Sequence, residues 1–162
     1  ELNYGIALLN DSKYGLSVNE GSMRLSLHKG GMLPDSAGDK GRHFTRYAIL
    51  PHAEGFGAKS VIQPAYAFNY LPVEGFVADH PLVTVDKDNI IIETVKPMED
   101  KENAYILRLY DATGDYSKAK LSFGHELKKL MECNMLEEEI APIEENMLTF
   151  KPFEIKTVKV EY

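Results

Sequence analysis

The chain has 162 residues, 44% of them apolar and 27% charged, which suits a folded soluble protein and not a disordered, collagen-like or fibrous one. Its formal net charge of -7, with Lys and Arg scattered along the sequence, argues against a nucleic-acid partner, which would need a basic stripe. One cysteine, Cys133, allows no internal disulfide, no apolar run reaches the roughly 18 residues that cross a bilayer, and Glu1-Leu2-Asn3 opens no signal-peptide pattern. A cytoplasmic location without a membrane partner is therefore expected, where the glycosylation triplet Asn10-Asp11-Ser12 would have no meaning.

The chain opens on short β-prone runs separated by turn residues. Tyr4 to Asn10 is the first, Lys13 to Val18 the second, and Asn19-Glu20-Gly21-Ser22 has the residues of a tight turn. Met23 to His28 alternates apolar and polar, as a strand with one buried face does. Lys29 to Arg42, with four glycines and one proline, predicts a long surface loop. Phe44 to Leu50 resumes the strand pattern and is expected to stop at Pro51-His52. Gly57 to Gln63 places Ala58, Val61 and Ile62 on one helical face, so one or two helical turns are expected, ended or kinked by Pro64. Phe68 to Leu71 reads as extended, and the two prolines of 72–81 suggest a boundary near residue 75.

Beyond that boundary seven strands are expected: Leu82–Val85, Ile90–Val95, Ala104–Tyr110, Lys118–Phe123, Leu127–Asn134, Met147–Phe150 and Glu154–Tyr162. Asp88-Asn89 and Thr113-Gly114 supply turns, and the acidic run Glu137-Glu138-Glu139 reads as a solvated turn. The fold class is all-β: two β-sandwich units, residues 1–75 and 76–162, the second immunoglobulin-like, with at most a short helix.

Catalytic motifs are missing from this inventory. The sequence holds no P-loop, GxGxxG, GxSxG or HExxH. Cys133 sits among alternating apolar neighbours and reads as a core cysteine. His28, His43, His52, His80 and His125 lie in five separate segments without metal-ligand spacing, which favours structural or surface roles. Carboxylates are plentiful, but the pair about 5 Å apart that a retaining glycosidase needs is a spatial feature that a strand-rich sequence does not reveal.

One stretch points further. Ala7-Leu8-Leu9-Asn10-Asp11-Ser12-Lys13-Tyr14-Gly15 resembles the ALLND-x-KYG signature of the cytosolic and bacterial α-mannosidases of glycoside hydrolase family 38. Leu25-Ser26-Leu27, Pro34-Asp35 with Asp39 and Gly41, Tyr47 to His52 and Gln63 to Asn69 follow in the family's order. Glu102 to Ala112, Glu132 to Glu137 and Pro152 to Thr157 are similar to its later segments, so the likeness runs from residue 7 to residue 157.

The resemblance implies a role as well as a fold. Family members carry a zinc site and their nucleophilic and acid/base carboxylates on an N-terminal α/β domain, followed by a helical bundle and β-sandwich domains. Only the last β portions match here, residues 1–75 as part of the central sandwich and 76–162 as the C-terminal one. The expectation is therefore no catalytic residue, no metal ligand and no cofactor in this chain, with zinc held by the domain that it lacks. Expected partners are the catalytic and helical-bundle domains of the same polypeptide, mannose-containing glycans through the intact enzyme, and a second copy in a homo-oligomer.

In related mannosidases an arginine after the strand matched by Met23–His28 contacts substrate. Lys29 stands at that position, with a point charge in place of the arginine fork. Lys29, Asn10 and Asp11 are the candidate substrate-binding residues, the last two alternatively fixing a hairpin turn. A second reading of the whole chain is an autonomous carbohydrate-binding module. Sugar platforms favour exposed Trp, however, and the chain has no Trp among its nine Tyr and seven Phe.

Overall fold

The computed structural model describes residues 4–70, 79–99 and 101–162. Residues 4–56 with 63–70 form one compact unit, and residues 57–62 with 79–99 and 101–162 form another. The boundary expected near residue 75 lies outside the described residues.

Among the described residues the first unit holds two antiparallel ribbons and one α-helix. β1 (Gly5–Asn10) pairs with β4 (Tyr47–His52) in a register that sets Gly5 opposite His52 and Asn10 opposite Tyr47. β4 therefore continues through Pro51 and His52 instead of stopping there. Pro51 has no N–H to donate, a loss that a strand with one free side tolerates. β2 (Leu16–Asn19) and β3 (Ser22–Leu25) form a separate hairpin. Its two turn residues, Glu20 at φ 48° and Gly21 at φ 75°, both adopt the left-handed conformation that matches the twist of a two-residue hairpin. The α-helix α1 (Gln63–Asn69) packs against β1. The helical turns expected over Gly57–Gln63 are present at Ala58–Ile62, but Pro64 does not end the helical stretch: α1 follows directly with Pro64 in its first turn, and Phe68 is helical where extended chain is expected.

The second unit is a two-sheet antiparallel sandwich preceded by a π-helical turn at Ala58–Ile62 that buries Ala58 and Val61. Its strands are β5 (Val83–Val85), β6 (Ile90–Pro97), β7 (Ala104–Asp111), β8 (Ser117–Phe123), β9 (Lys129–Cys133), β10 (Glu139–Pro142), β11 (Met147–Phe150) and β12 (Ile155–Glu161). One sheet has the order β10-β9-β12-β7-β6 and the other β11-β8-β5. Among the described residues eight strands stand where seven are expected, because Glu139, the end of the supposed solvated turn, opens β10 as an edge strand.

Alternation explains the core. Leu107 and Leu109 of β7, Ala119 and Leu121 of β8, Leu148 and Phe150 of β11, and Val158 and Val160 of β12 meet between the sheets and are shielded from solvent. On β6 a bulge between Ile92 and Thr94 shifts the register by one residue, so that Ile90 and Ile92 face Asp111 and Leu109 before it and Val95 faces Leu107 after it. Cys133 is a free, buried thiol on β9, and burial pushes its pKa up, as suits a core cysteine.

Two polar knots hold the sandwich where apolar packing does not. Asp111, fully buried at the end of β7, accepts hydrogen bonds from Asn89 Nδ2 at 2.7 Å and from the backbone N–H of Gly114, Asp115 and Phe153 at 2.7, 2.9 and 2.9 Å. Gly114 is required there, since its φ is 82° and a Cβ would lie 2.7 Å from the Phe153 ring. Burial pushes the Asp111 carboxyl up, and the hydrogen bonds from Phe153, Asn89, Thr113 and Gly114 outweigh that effect, leaving its pKa below the usual value. On the outer face of β12, buried Lys159 pairs with Glu139 and, at 2.9 Å, with Glu161. Hydrogen bonds from Lys101 and Lys159 hold Glu161 down to about 2.

Asp111→Ala leaves several backbone donors unsatisfied in a dry site, and is expected to lower the free energy of unfolding by about 3 kcal/mol in urea titrations. The acid side follows from the depressed carboxylates. Their contribution is present above the unfolded-state pKa of 4.5 for Glu161 and is lost as pH falls through its folded value of about 2. The melting temperature is expected to fall across that window, with a smaller fall for Glu161→Gln.

Candidate functional site

The turn after β1 gathers the residues singled out by sequence. Asn10 Oδ1 accepts the N–H of Lys13 at 2.8 Å, closing the Asn10–Lys13 corner, and Ser12 takes φ 60° within it. Asp11 reaches across to the chain entering β4: its Oδ1 accepts from the Arg46 N–H at 2.8 Å and from Thr45 Oγ1 at 3.0 Å, and its Oδ2 accepts from Arg46 Nε at 3.0 Å. The backbone bond from Asp11 N–H to Arg46 carbonyl, 3.1 Å, extends the β1–β4 ladder by one step. Backbone and side-chain hydrogen bonds from Arg46 hold the Asp11 carboxyl below its usual pKa.

The corner does not close a hairpin, because β1 pairs with β4 and β2 with β3. It passes the chain from one ribbon to the other. Sequence reasoning located the turn and missed the Asp11–Arg46 staple, whose partners are 35 residues apart and leave no local signal. Lys29 is exposed in the loop after β3 and makes no part of this cluster. Among the described residues no group of three His, Cys, Asp or Glu side chains is arranged to hold a metal.

The larger feature of this unit is apolar. Leu8 of β1 stands opposite Ile49 of β4, and Val18 of β2 stands opposite Met23 of β3. With Ile6 and Leu27, these side chains line a groove of about 620 Å³. Several are largely exposed, from 44% at Met23 to 67% at Val18 and Ile49. The other face of β1 carries Leu9, which is buried, so the ribbon has one covered side and one open side. The alternation Met23-Leu25-Leu27 suggested a buried face, yet Met23 and Leu27 stay exposed and β3 ends at Leu25. Most of the lining is hydrocarbon, with the Ser22 hydroxyl and the Tyr47 phenol as its polar groups and no carboxylate, imidazole or ammonium among the described lining residues, so the groove can exclude water and pack.

The comparisons with known proteins bear on what packs there. Residues 89–158 match the family model for the glycosyl hydrolases family 38 C-terminal beta sandwich domain, and residues 1–37 match that for the family 38 C-terminal domain. The chain belongs to glycoside hydrolase family 38, in its C-terminal region. It is 34% identical to alpha-mannosidase 2C1 of Homo sapiens over 96% of this chain, and 32% identical to alpha-mannosidase G of Dictyostelium discoideum over 98%. It spans 16% of the length of either relative. A crystal structure of a family 38 protein from Enterococcus faecalis superimposes with a TM-score of 0.70 at 22% identity, covering 99% of this chain and 21% of that one, which supports the same fold.

Asp11→Ala removes every side-chain bond of the staple and is expected to speed hydrogen exchange at the Arg46 amide and lower the melting midpoint of this family 38 unit. Asp11→Asn, which keeps one acceptor for the Arg46 N–H, should fall between the two. Because the folded pKa of Asp11 is depressed, the difference between wild type and Asp11→Ala should shrink as pH drops below the carboxylate's ordinary value of 3.8.

Proposed function

We propose that this chain is the non-catalytic C-terminal β portion of a retaining α-mannosidase, with residues 1–75 belonging to a central sandwich domain and 76–162 forming the C-terminal sandwich. In the intact enzyme its role is to pack on the catalytic and helical-bundle domains of the same polypeptide and to complete a wall of the cleft that takes mannose-containing glycans. The observation that carries this reading is the open groove of the first unit. Two ribbons that leave Ile6 and Ile49, and Val18 and Met23, exposed around one groove have the composition of a surface made to be covered.

Hydrolysis with retention needs two carboxylates about 5 Å apart across the glycosidic bond. In this reading those groups, and the zinc that orients the sugar hydroxyls, are supplied by the N-terminal part. Lys29, and Asn10 and Asp11 at the corner, are the residues of this chain proposed to border the cleft. Asp11 does so as a positioning residue, since its oxygens are engaged by Thr45 and Arg46. A cytoplasmic location and a homo-oligomeric parent complete the proposal.

The purified chain is expected neither to hydrolyse an aryl α-mannoside nor to bind zinc stoichiometrically. Turnover that disappears when a residue of this chain is replaced would overturn the reading. Covering the groove recovers roughly 25 cal/mol per Å² of apolar area, so the chain alone should associate as its concentration rises. Static light scattering is the readout, and Val18→Lys with Ile49→Lys should return it to a monomer, whereas a strict monomer in the unsubstituted chain would remove the main support for a packing role.

A further inference from the structure

We propose that the open end of the second unit's sandwich is a binding site for a neutral hexopyranose. The core between the sheets closes at its middle and gapes at one end, where β6 runs out at Pro97 opposite Tyr105 of β7. The gap is a cavity of about 800 Å³, inside the range of about 300–1,000 Å³ typical of small-molecule sites. One wall is fixed by Gly124, whose N–H donates to the Leu82 carbonyl at 3.2 Å and where a Cβ would come within 2.6 Å of the Pro81 carbonyl oxygen.

The lining combines ring faces with hydrogen-bonding groups. Tyr105, His125 and Tyr162 form a cluster with centroids 5.4–5.8 Å apart, and the His125 ring stands at 81° to Tyr162. Tyr162 is 47% exposed and presents a flat carbon surface, whereas Tyr105 is buried with its hydroxyl 3.4 Å from His125 Nε2. That separation is long for a hydrogen bond of a phenol, so both groups retain capacity for a ligand hydroxyl. Burial, with Tyr162 adding to it, pushes the Tyr105 hydroxyl up to about 12, and it remains a proton donor at neutral pH.

Charge decides between ligand classes. Among the described residues that line it the one ammonium, Lys96, is paired with Glu137 at 2.5 Å, and the other side chains are apolar, aromatic or imidazole. An anionic or cationic ligand would lose its hydration without a free counter-charge. A pyranose instead offers an apolar C–H face to Tyr162 and equatorial hydroxyls to Tyr105, His125 and His80. Among its described lining residues the first unit's groove has no imidazole, and Ser22 and Tyr47 are its polar side chains, so the two concavities suit different occupants.

The test is a titration of the 162-residue chain with methyl α-mannopyranoside, chosen because the curated relatives are α-mannosidases, followed by amide chemical shifts. Cyclohexanol serves as an apolar ring without the hydroxyl pattern. Saturable shifts at Tyr105, His125 and Tyr162 with a millimolar Kd are expected, weakened about tenfold by Tyr162→Ala and by His125→Ala and unchanged by Met23→Ala in the other unit. Circular dichroism melts establish that each variant is folded. No shift at sugar concentrations well above millimolar, binding indifferent to Tyr162→Ala, or equal binding of cyclohexanol would each overturn the proposal. None of these results bears on the packing role, whose readout is association through the first unit.

Discussion

In the second unit the antiparallel ladder between β7 and β12 fixes the place of every other element. Seven residue pairs run along it, from Ile155 opposite Tyr110 to Glu161 opposite Ala104. Its inner side sets Leu107 against Val158 and Tyr105 against Val160, and the sheet β11-β8-β5 closes over those side chains with Leu121, Leu148 and Phe150. On the outer side β12 carries Thr157 and Lys159, both buried, which is unusual for a lysine. The ammonium is tolerated because Glu139 of β10 and Glu161 of its own strand neutralise it. Removing both partners would leave its charge unpaired in a dry site.

The same rule, that an apolar sheet face needs a cover, explains why the two units differ. The second unit has two sheets and covers itself. Among the described residues the first has two ribbons of two strands each, too few to enclose a core, and one face of β1 is sheltered while the other is open. Its local geometry is nonetheless well determined. Gly5 makes room for the His52 ring, where a Cβ would lie 2.3 Å from Cε1, and the Asp11 staple ties the start of β4 to the end of β1. The open apolar side of the first unit is the observation on which the proposed packing role rests.

How much of this was legible in the sequence differs from one element to the next. β8 could be read from strict alternation, β7 and β11 from short apolar runs, and Thr113-Gly114 from turn chemistry, because the signals are local. β10 was missed because Glu139 extends an acidic run and Pro142 closes the segment, a composition that suits an edge strand as well as a loop. The start of α1 was misread at Pro64, where one residue type signals either a helix stop or a helix first turn, and only tertiary context decides. The β1–β4 pairing spans about forty residues, and nothing in either strand names its partner. The candidate residues fared in the same way: Asn10 and Asp11 were recognisable as a corner, and the bonds to Thr45 and Arg46 were not. The motif likeness, running from residue 7 to residue 157, conveyed more about kinship than periodicity could.

The proposal that the second unit is self-sufficient while the first is covered in a larger protein is tested most directly by native-state hydrogen exchange. In dilute solution of the unassociated chain, amides of β7, β9 and β12 should exchange only on global unfolding of the sandwich. Those of β2 and β3 should exchange orders of magnitude faster, through openings that leave the sandwich intact. Equal protection of the β2–β3 hairpin and the β7–β12 ladder in a monomer would mean that the first unit is complete as it stands, and would contradict the account.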